Sequence, residues 1–241
     1  MQVKACFLLA AGLGTRMEDL CKDVPKPLLP FFNSTIIESL ILYLKDLGIE
    51  TFYINSHYLH KVMENKLSQY NLVYEPELLG SGGAFHNLKK NFPDLQHVLS
   101  VNTDSFFIAD KGSWKSFLTI DESKLKLLMM KVQKEEHLNQ VHIENGLMTG
   151  ITKANAVVDK SYYTYSGISL IDLSRLEFIE GESGFFDTVA KFETEDVPCH
   201  LIENYEFWDF GTKKKYQEGI KKLEVENESH LNKFLNSKEI I

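Results

Sequence analysis

The stretch LLAAGLGTRM, Leu8–Met17, decides how the chain is read. An apolar run, two glycines and an arginine follow one another within it. The run KACFLLA, Lys4 to Ala10, reads as a buried first strand of a covered parallel sheet. A glycine loop after such a strand can present backbone amides to phosphate oxygens, because Gly12 and Gly14 let the main chain approach closely. Arg16 sets a permanent, forked cation beside that loop. It is not a dinucleotide fingerprint. Met17 stands where the third glycine belongs, and the next strand ends in Asn55 rather than in an acid. No Gly-Lys-Ser/Thr follows, which removes the Walker A reading. A signal peptide is disfavoured too, since the apolar run is near or below the roughly 7-residue minimum and Arg16 follows at once.

Outward from this loop the pattern alternates. PKPLLP, Pro25 to Pro30, reads as an extended loop. TIIESLILYLKDLG predicts a helix that opens on a Thr35–Glu38 capping box and stops at Gly48. Its buried face is Ile37, Leu40, Ile41, Leu44 and Leu47. TFYIN (51–55), NLVYE (71–75) and HVLSVN (97–102) read as strands. HYLHKVMENKLSQY reads as a helix, and ELLGSGGA as a loop feeding another helix that runs to about Lys90. The second half changes character. LKLLMMKV (125–132) and YYTYSGISLI (162–171) are strand-like, and Asn145-Gly146 marks a hairpin. GFFDTVAKFE reads as helical, CHLIE and the run to Trp208 as short strands, and the tail from about Lys213 as a charged helix. The expected fold is α/β, a Rossmann-like, mostly parallel mixed sheet flanked by helices, with an antiparallel part in the second half. A single domain is expected, with a nucleotide-binding half over about 1–112 and an acceptor-binding half plus C-terminal helices over about 113–241.

Composition bounds the chemistry. The 241 residues are 44% hydrophobic and 25% charged, and the formal net charge is -8. That balance argues against nucleic acid and against a polybasic membrane anchor. Phosphate binding must then come from a few focused cations, backbone amides or a metal. Cys6, Cys21 and Cys199 are isolated and read as reduced thiols in a cytoplasmic protein, a pattern that disfavours zinc. His57 and His60 lack a nearby third ligand and read as surface or capping residues, although His57 could line an acceptor pocket. Lys26, between two prolines, is by type a solvated lysine, but beside a phosphate loop it becomes a second cation. Asp104 directly follows a strand, where open parallel sheets bind ligands. Asp209, in EFWDFGT, sits among aromatic residues, where a lone carboxylate is costly unless paired or metal-bound. Together these two acids would make a hard-oxygen site suited to Mg²⁺.

In this order LLAAGLGTRM, PKPLLP, ELLGSGGA, VNTD, YTYSGI and WDFGT resemble the sugar-1-phosphate nucleotidylyltransferases, over about Val3 to Tyr216. Within them the chain looks most like the short bacterial branch of mannose- or heptose-1-phosphate guanylyltransferases and N-acetylmuramate-1-phosphate uridylyltransferases, without a C-terminal β-helix. The resemblance implies that the backbone at Ala10, Ala11, Gly12 and Gly14 holds the nucleotide and that Arg16 grips pyrophosphate. Lys26 would neutralise the α-phosphate, and Gly82 and Gly83 would let the base lie flat. Asp104 and Asp209 would hold Mg²⁺, and Gly167 would approach the sugar. It also implies a nucleoside triphosphate and a sugar 1-phosphate as substrates, and a monomer or homodimer. The chain departs from the pattern at three places: Glu18 and Asp19 intervene where a proline and leucine often follow the arginine, Ser81 replaces a threonine, and Thr103 a glycine. The family's acceptor-phosphate lysine has no clear counterpart, and Lys153 and Lys160 both stand open. The alternatives are a phosphocholine cytidylyltransferase, with Tyr162, Tyr163, Tyr165, Phe185, Phe186, Phe207 and Trp208 as a possible aromatic box, or a non-catalytic nucleotide-sugar sensor. A nicotinamide-binding dehydrogenase is more distant still.

Overall fold

The computed structural model describes residues 1–226 and 228–240. Contacts divide the chain into two compact units that interleave along the sequence. One comprises Lys4–Leu78, Asn102–Lys111 and Tyr205–Ile241; the other comprises Met1–Val3, Leu79–Val101 and Gly112–Asn204. The C-terminal segment thus groups with the N-terminal strands. No helix among the described residues is long and apolar enough to cross a membrane.

The first unit is built on the parallel strands Ala5–Leu9, Thr51–Ser56 and Asn71–Tyr74, with Cys6 opposite Phe52 and Ile54 opposite Leu72. Phe7 and Leu8 are fully buried, as a two-sided strand requires. Between the first two strands runs the helix Ile36–Asp46. Thr35 caps it: its hydroxyl accepts from the Glu38 amide at 3.3 Å and donates to the Glu38 carboxylate at 2.7 Å. Ile37, Leu40, Ile41 and Leu44 are buried, and Gly48 ends the turn with φ 93°. The next helix is shorter than its sequence pattern. It covers His60–Leu67, because Leu59 sits in the left-handed region at φ 52° and blocks an earlier start.

One strand of this unit was not legible. After Asp104 the chain continues as Ser105–Ala109, antiparallel to Tyr205–Asp209, with Asp209 opposite Ser105. PKPLLP is extended at Pro25 and Leu29 but makes one 3₁₀ turn, Lys26–Leu28, between them. Three site segments then each send a fully buried phenylalanine into one cluster: Phe31, Phe106 and Phe210. Phe31 stacks on Phe106 at 5.5 Å between centroids and meets Phe210 edge-on at 5.3 Å; Phe106 and Phe210 are 6.0 Å apart. Two capped helices follow, Lys213–Val225 and His230–Ser237.

The second unit is mixed. Ser161–Asp172 pairs antiparallel with both Leu125–Gln133 and His97–Asn102, and Cys199–Leu201 joins Leu125–Gln133 in parallel. The expected hairpin is present, Gln140–Glu144 with Leu147–Thr152, and both turn residues have positive φ, 53° at Asn145 and 78° at Gly146. Two readings shift here. The glycines Gly80, Gly82 and Gly83 are the first turn of the helix Gly80–Asn91 rather than a loop before it. GFFDTVAKFE keeps only the short helix Phe185–Thr188.

Gly219 gives this packing a test. Alanine is intrinsically better than glycine in a helix by about 1 kcal/mol. Yet a Cβ at Gly219 would lie 2.6 Å from Phe210 Cε1, against a ring with no room to yield. Gly219→Ala should therefore lower the midpoint of chemical denaturation, by about 1–3 kcal/mol of stability as for overpacked cores. A raised midpoint would show that the phenylalanine cluster is loose.

Candidate active site

In the first unit the backbone after the Ala5–Leu9 strand is tied down by a residue from the neighbouring strand. Asn55 Oδ1 accepts from the Ala10 amide at 2.5 Å and the Ala11 amide at 3.1 Å, while its Nδ2 donates to Glu75 Oε1 at 2.7 Å. Asn55 and Glu75 are both buried. The two alanine amides are thus committed inside the protein. A Cβ at Gly12 would meet nothing within 4 Å, so this part of the loop is open. Gly14 adopts φ 67°, and a Cβ there would lie 3.0 Å from Cys21 Sγ, so glycine is required on two counts. Thr103 earns its place where glycine was expected: its hydroxyl donates to Leu9 O at 2.9 Å and ties the Asp104 segment to the first strand.

Lys26, Asp104 and Asp209 come together. Lys26 Nζ is 2.6 Å from Asp104 Oδ2 and donates to Gly211 O at 3.2 Å. Asp209 accepts from the Gly211 amide at 2.7 Å and from Lys215 Nζ at 2.6 Å. Gly211 marks where the two acids converge, since a Cβ there would sit 2.7 Å from Asp209 Oδ1 and 3.4 Å from Asp104 Oδ2. Asp104 O also accepts from the Phe210 amide at 2.8 Å. The arrangement is two carboxylates facing one point, each balanced by a lysine. Lys215 was missed in the sequence. Its only signal was its spacing of six from Asp209, which a helix start after Thr212 makes contact distance. Arg16 is exposed, without an ion-pair partner among the described residues. His57 and His60 are capping residues of the second strand's end: His57 Nδ1 lies 2.8 Å from Glu75 O and His60 Nδ1 lies 2.9 Å from Ser56 Oγ. No group of three or more His, Cys, Asp or Glu able to hold a metal occurs among the described residues.

The second unit holds the remaining candidates. Gly82 and Gly83 are pressed by the chain's own loop: a Cβ at Gly82 would lie 2.3 Å from Gly184 O, and one at Gly83 would lie 2.6 Å from Gly181 O. Ser183 O accepts from the Gly82 amide at 2.8 Å, and Ser81 Oγ accepts from the Phe185 amide at 3.0 Å. The serine that replaces threonine keeps a hydroxyl acceptor there. Gly167 takes φ 82° where the pairing of Ser161–Asp172 with Leu125–Gln133 slips between Tyr165 and Ser169, a bulge that needs glycine. Tyr165 stacks on Phe185 at 5.6 Å and meets Phe186 edge-on at 5.8 Å. Burial pushes the Tyr165 hydroxyl far above its usual range. Tyr162 is buried and donates to Leu138 O at 2.8 Å. In the first unit, Trp208 lies under Lys222 Nζ at 5.0 Å from the ring centroid. Lys153 and Lys160 are both exposed, and neither is singled out.

The signature of the nucleotidyl transferases matches residues 5–139, more than half of the chain, and the chain belongs to that family. It is 30% identical over 146 residues to the D-glycero-alpha-D-manno-heptose 1-phosphate guanylyltransferase of Campylobacter jejuni, a match covering 57% of this chain and 62% of that protein. It is 31% identical over 112 residues to the enzyme of the same name from Aneurinibacillus thermoaerophilus, covering 43% of this chain and 47% of that protein. The chain thus spans between about half and three fifths of the length of these relatives. Among solved structures it is similar to HddC from Yersinia pseudotuberculosis complexed with GMP-PN, with TM-score 0.74 and 21% identity, over 91% of this chain and 99% of that one. That likeness establishes the α/β nucleotide-diphospho-sugar transferase fold.

The Asn55 bridge yields a prediction. Asn55→Ala removes the acceptor of two buried amides and one donor to buried Glu75. Each unsatisfied buried group costs about 1–3 kcal/mol, so a loss of about 2–4 kcal/mol in urea unfolding is expected. Stability within about 0.5 kcal/mol of the parent, the range of ordinary surface substitutions, would show that the loop does not depend on it.

Proposed function

We propose that the chain is a Mg²⁺-dependent nucleotidylyltransferase that joins a nucleoside triphosphate to a sugar 1-phosphate and releases pyrophosphate. The observation that carries this reading is the convergence of Lys26, Asp104 and Asp209 about Gly211. The donor set suits Mg²⁺, which binds through one or two carboxylates plus substrate phosphates rather than a full protein cage. The names of the two guanylyltransferase relatives favour GTP with a heptose 1-phosphate.

The chemistry asks little of the protein beyond placement. A sugar-1-phosphate oxygen attacks the α-phosphorus in line and pyrophosphate leaves. The attacking group is already an anion at neutral pH, so no protein nucleophile or strong base is needed. Catalysis is then orientation plus charge stabilisation. Asp104 and Asp209 would hold the metal, which when bound would orient the triphosphate and offset repulsion between two anionic reactants. Lys26 faces the α-phosphate and stabilises the charge that grows there. Arg16 receives the departing pyrophosphate. The open main chain at Gly12 takes phosphate oxygens and Gly14 turns the loop, while Ala10 and Ala11 shape it through Asn55. The family resemblance assigns the base to Gly82 and Gly83, which Gly184 O and Gly181 O already approach closely, and the acceptor to Gly167. The Ala10 and Ala11 role is therefore narrower than amide donation, because those donors are already used.

Asp104→Asn should nearly abolish pyrophosphate release at saturating Mg²⁺; activity near that of the parent would sink the metal role. Lys26→Ala should lower kcat by a factor on the order of 10² to 10³, as for loss of one oxyanion donor. A change confined to KM would show that Lys26 serves binding alone.

A further inference from the structure

Glu18 and Asp19 are the least expected residues of the phosphate loop, and Lys213 answers them. The segment Thr15–Cys21 is a 3₁₀ run broken at Glu18, which holds φ 53° and ψ −124°. That region is sterically costly for any residue with a Cβ and persists only where the surroundings hold it. The break turns both acidic side chains onto a single ammonium: Lys213 Nζ is 3.1 Å from Glu18 Oε2 and 2.5 Å from Asp19 Oδ1. Hydrogen bonding to Lys213 holds the Asp19 carboxyl below its usual range.

Lys213 also sits where helix electrostatics would not choose it. It opens the helix Lys213–Val225, and three successive lysines, 213 to 215, fill that helix's first turn. Cations at a helix N-terminus face the positive end of the dipole and are disfavoured. Two of the three are offset by reaching across to the site: Lys213 to Glu18 and Asp19, Lys215 to Asp209. The five residues from Asp209 to Lys213 therefore touch the acid pair, Lys26 through Gly211 O, and the phosphate loop. Arg16 lies two residues before the kink. Its neighbour Met17 is fully buried, and Met17 N donates to Gly14 O at 2.8 Å. The residue after Arg16 is thus anchored by burial and by Gly14, and the two beyond it by Lys213.

We propose that Lys213 is a positioning residue for Arg16, clamping the Glu18–Asp19 kink so that the guanidinium is in place before pyrophosphate forms. This rests on the nucleotidylyltransferase reading, and it adds a residue that the family resemblance does not assign. A single exposed ion pair contributes little. Here one partly covered cation meets two exposed carboxylates on one kinked turn, and the gain is in pre-organisation rather than in bulk stability.

The test uses inorganic pyrophosphate with Mg²⁺, by calorimetry and as a product inhibitor. Lys213→Ala should weaken pyrophosphate about fivefold, equivalent to about 1 kcal/mol. Lys213→Arg should restore it, and KM for the acceptor phosphate should not change. In an Arg16→Ala background, Lys213→Ala should have no further effect on pyrophosphate. Equal loss in both backgrounds, or no loss in either, overturns the proposal. Hydrogen exchange of residues 15–21 in the free protein judges the clamp without the reaction: faster exchange in Lys213→Ala supports it, and unchanged exchange overturns it. If the parent protein binds no pyrophosphate, the nucleotidylyltransferase reading fails, and the exchange result alone decides the clamp.

Discussion

The packing of Phe31, Phe106 and Phe210 is the constraint on which the site depends. Each of these rings directly follows a segment with a candidate site residue: PKPLLP with Lys26, the turn with Asp104, and Asp209 itself. The three segments are far apart in the chain, and none is held to the others by a long helix. Burying three rings against one another fixes where each segment crosses, and the polar residues just before them inherit that position. Aromatic burial contributes most to stability while the adjacent ion pairs contribute least, so the arrangement separates holding the site from using it.

Charge is handled locally. With a formal net charge of -8 the protein as a whole does not attract polyanions. Around Gly211 two lysines balance two carboxylates, and a third lysine balances two more at the loop's kink. Arg16 is left exposed beside the open stretch at Gly12. In the proposed reaction the phosphates would meet exposed Arg16 and, at the reacting centre, Lys26 paired with Asp104.

Much of this was legible in the sequence because local rules carried it. The Thr35 cap, the Gly48 stop and the Asn145-Gly146 hairpin all follow from short-range chemistry, and the structure has them. The acid pair was legible only through the order of motifs, since nothing local joins Asp104 to Asp209. What stayed hidden was long-range. The strand Ser105–Ala109 follows directly on the turn at Thr103-Asp104, and its partner Tyr205–Asp209 lies far along the chain, where nothing local announces it. Asn55 read as the mere absence of an acid, yet it fastens the glycine loop after the first strand. Gly82 and Gly83 read as room for a ligand, whereas in the structure it is the backbone at Gly181 and Gly184 that comes close. Helix length failed where tertiary geometry intervened, at Leu59 and after Thr188.

The central claim is that this chain transfers a nucleotidyl group to a phosphorylated acceptor. The most direct measurement is pyrophosphate release by the parent protein with Mg²⁺. ATP, GTP, CTP, UTP and dTTP would each be offered against a panel of phosphates that includes heptose, mannose and N-acetylmuramate 1-phosphates and phosphocholine. The account predicts release that requires both a triphosphate and one acceptor, strongest for a sugar 1-phosphate, with the nucleotide-linked product formed in equal amount. Binding of nucleotide-sugar with no release in any combination would contradict it and make the protein a sensor.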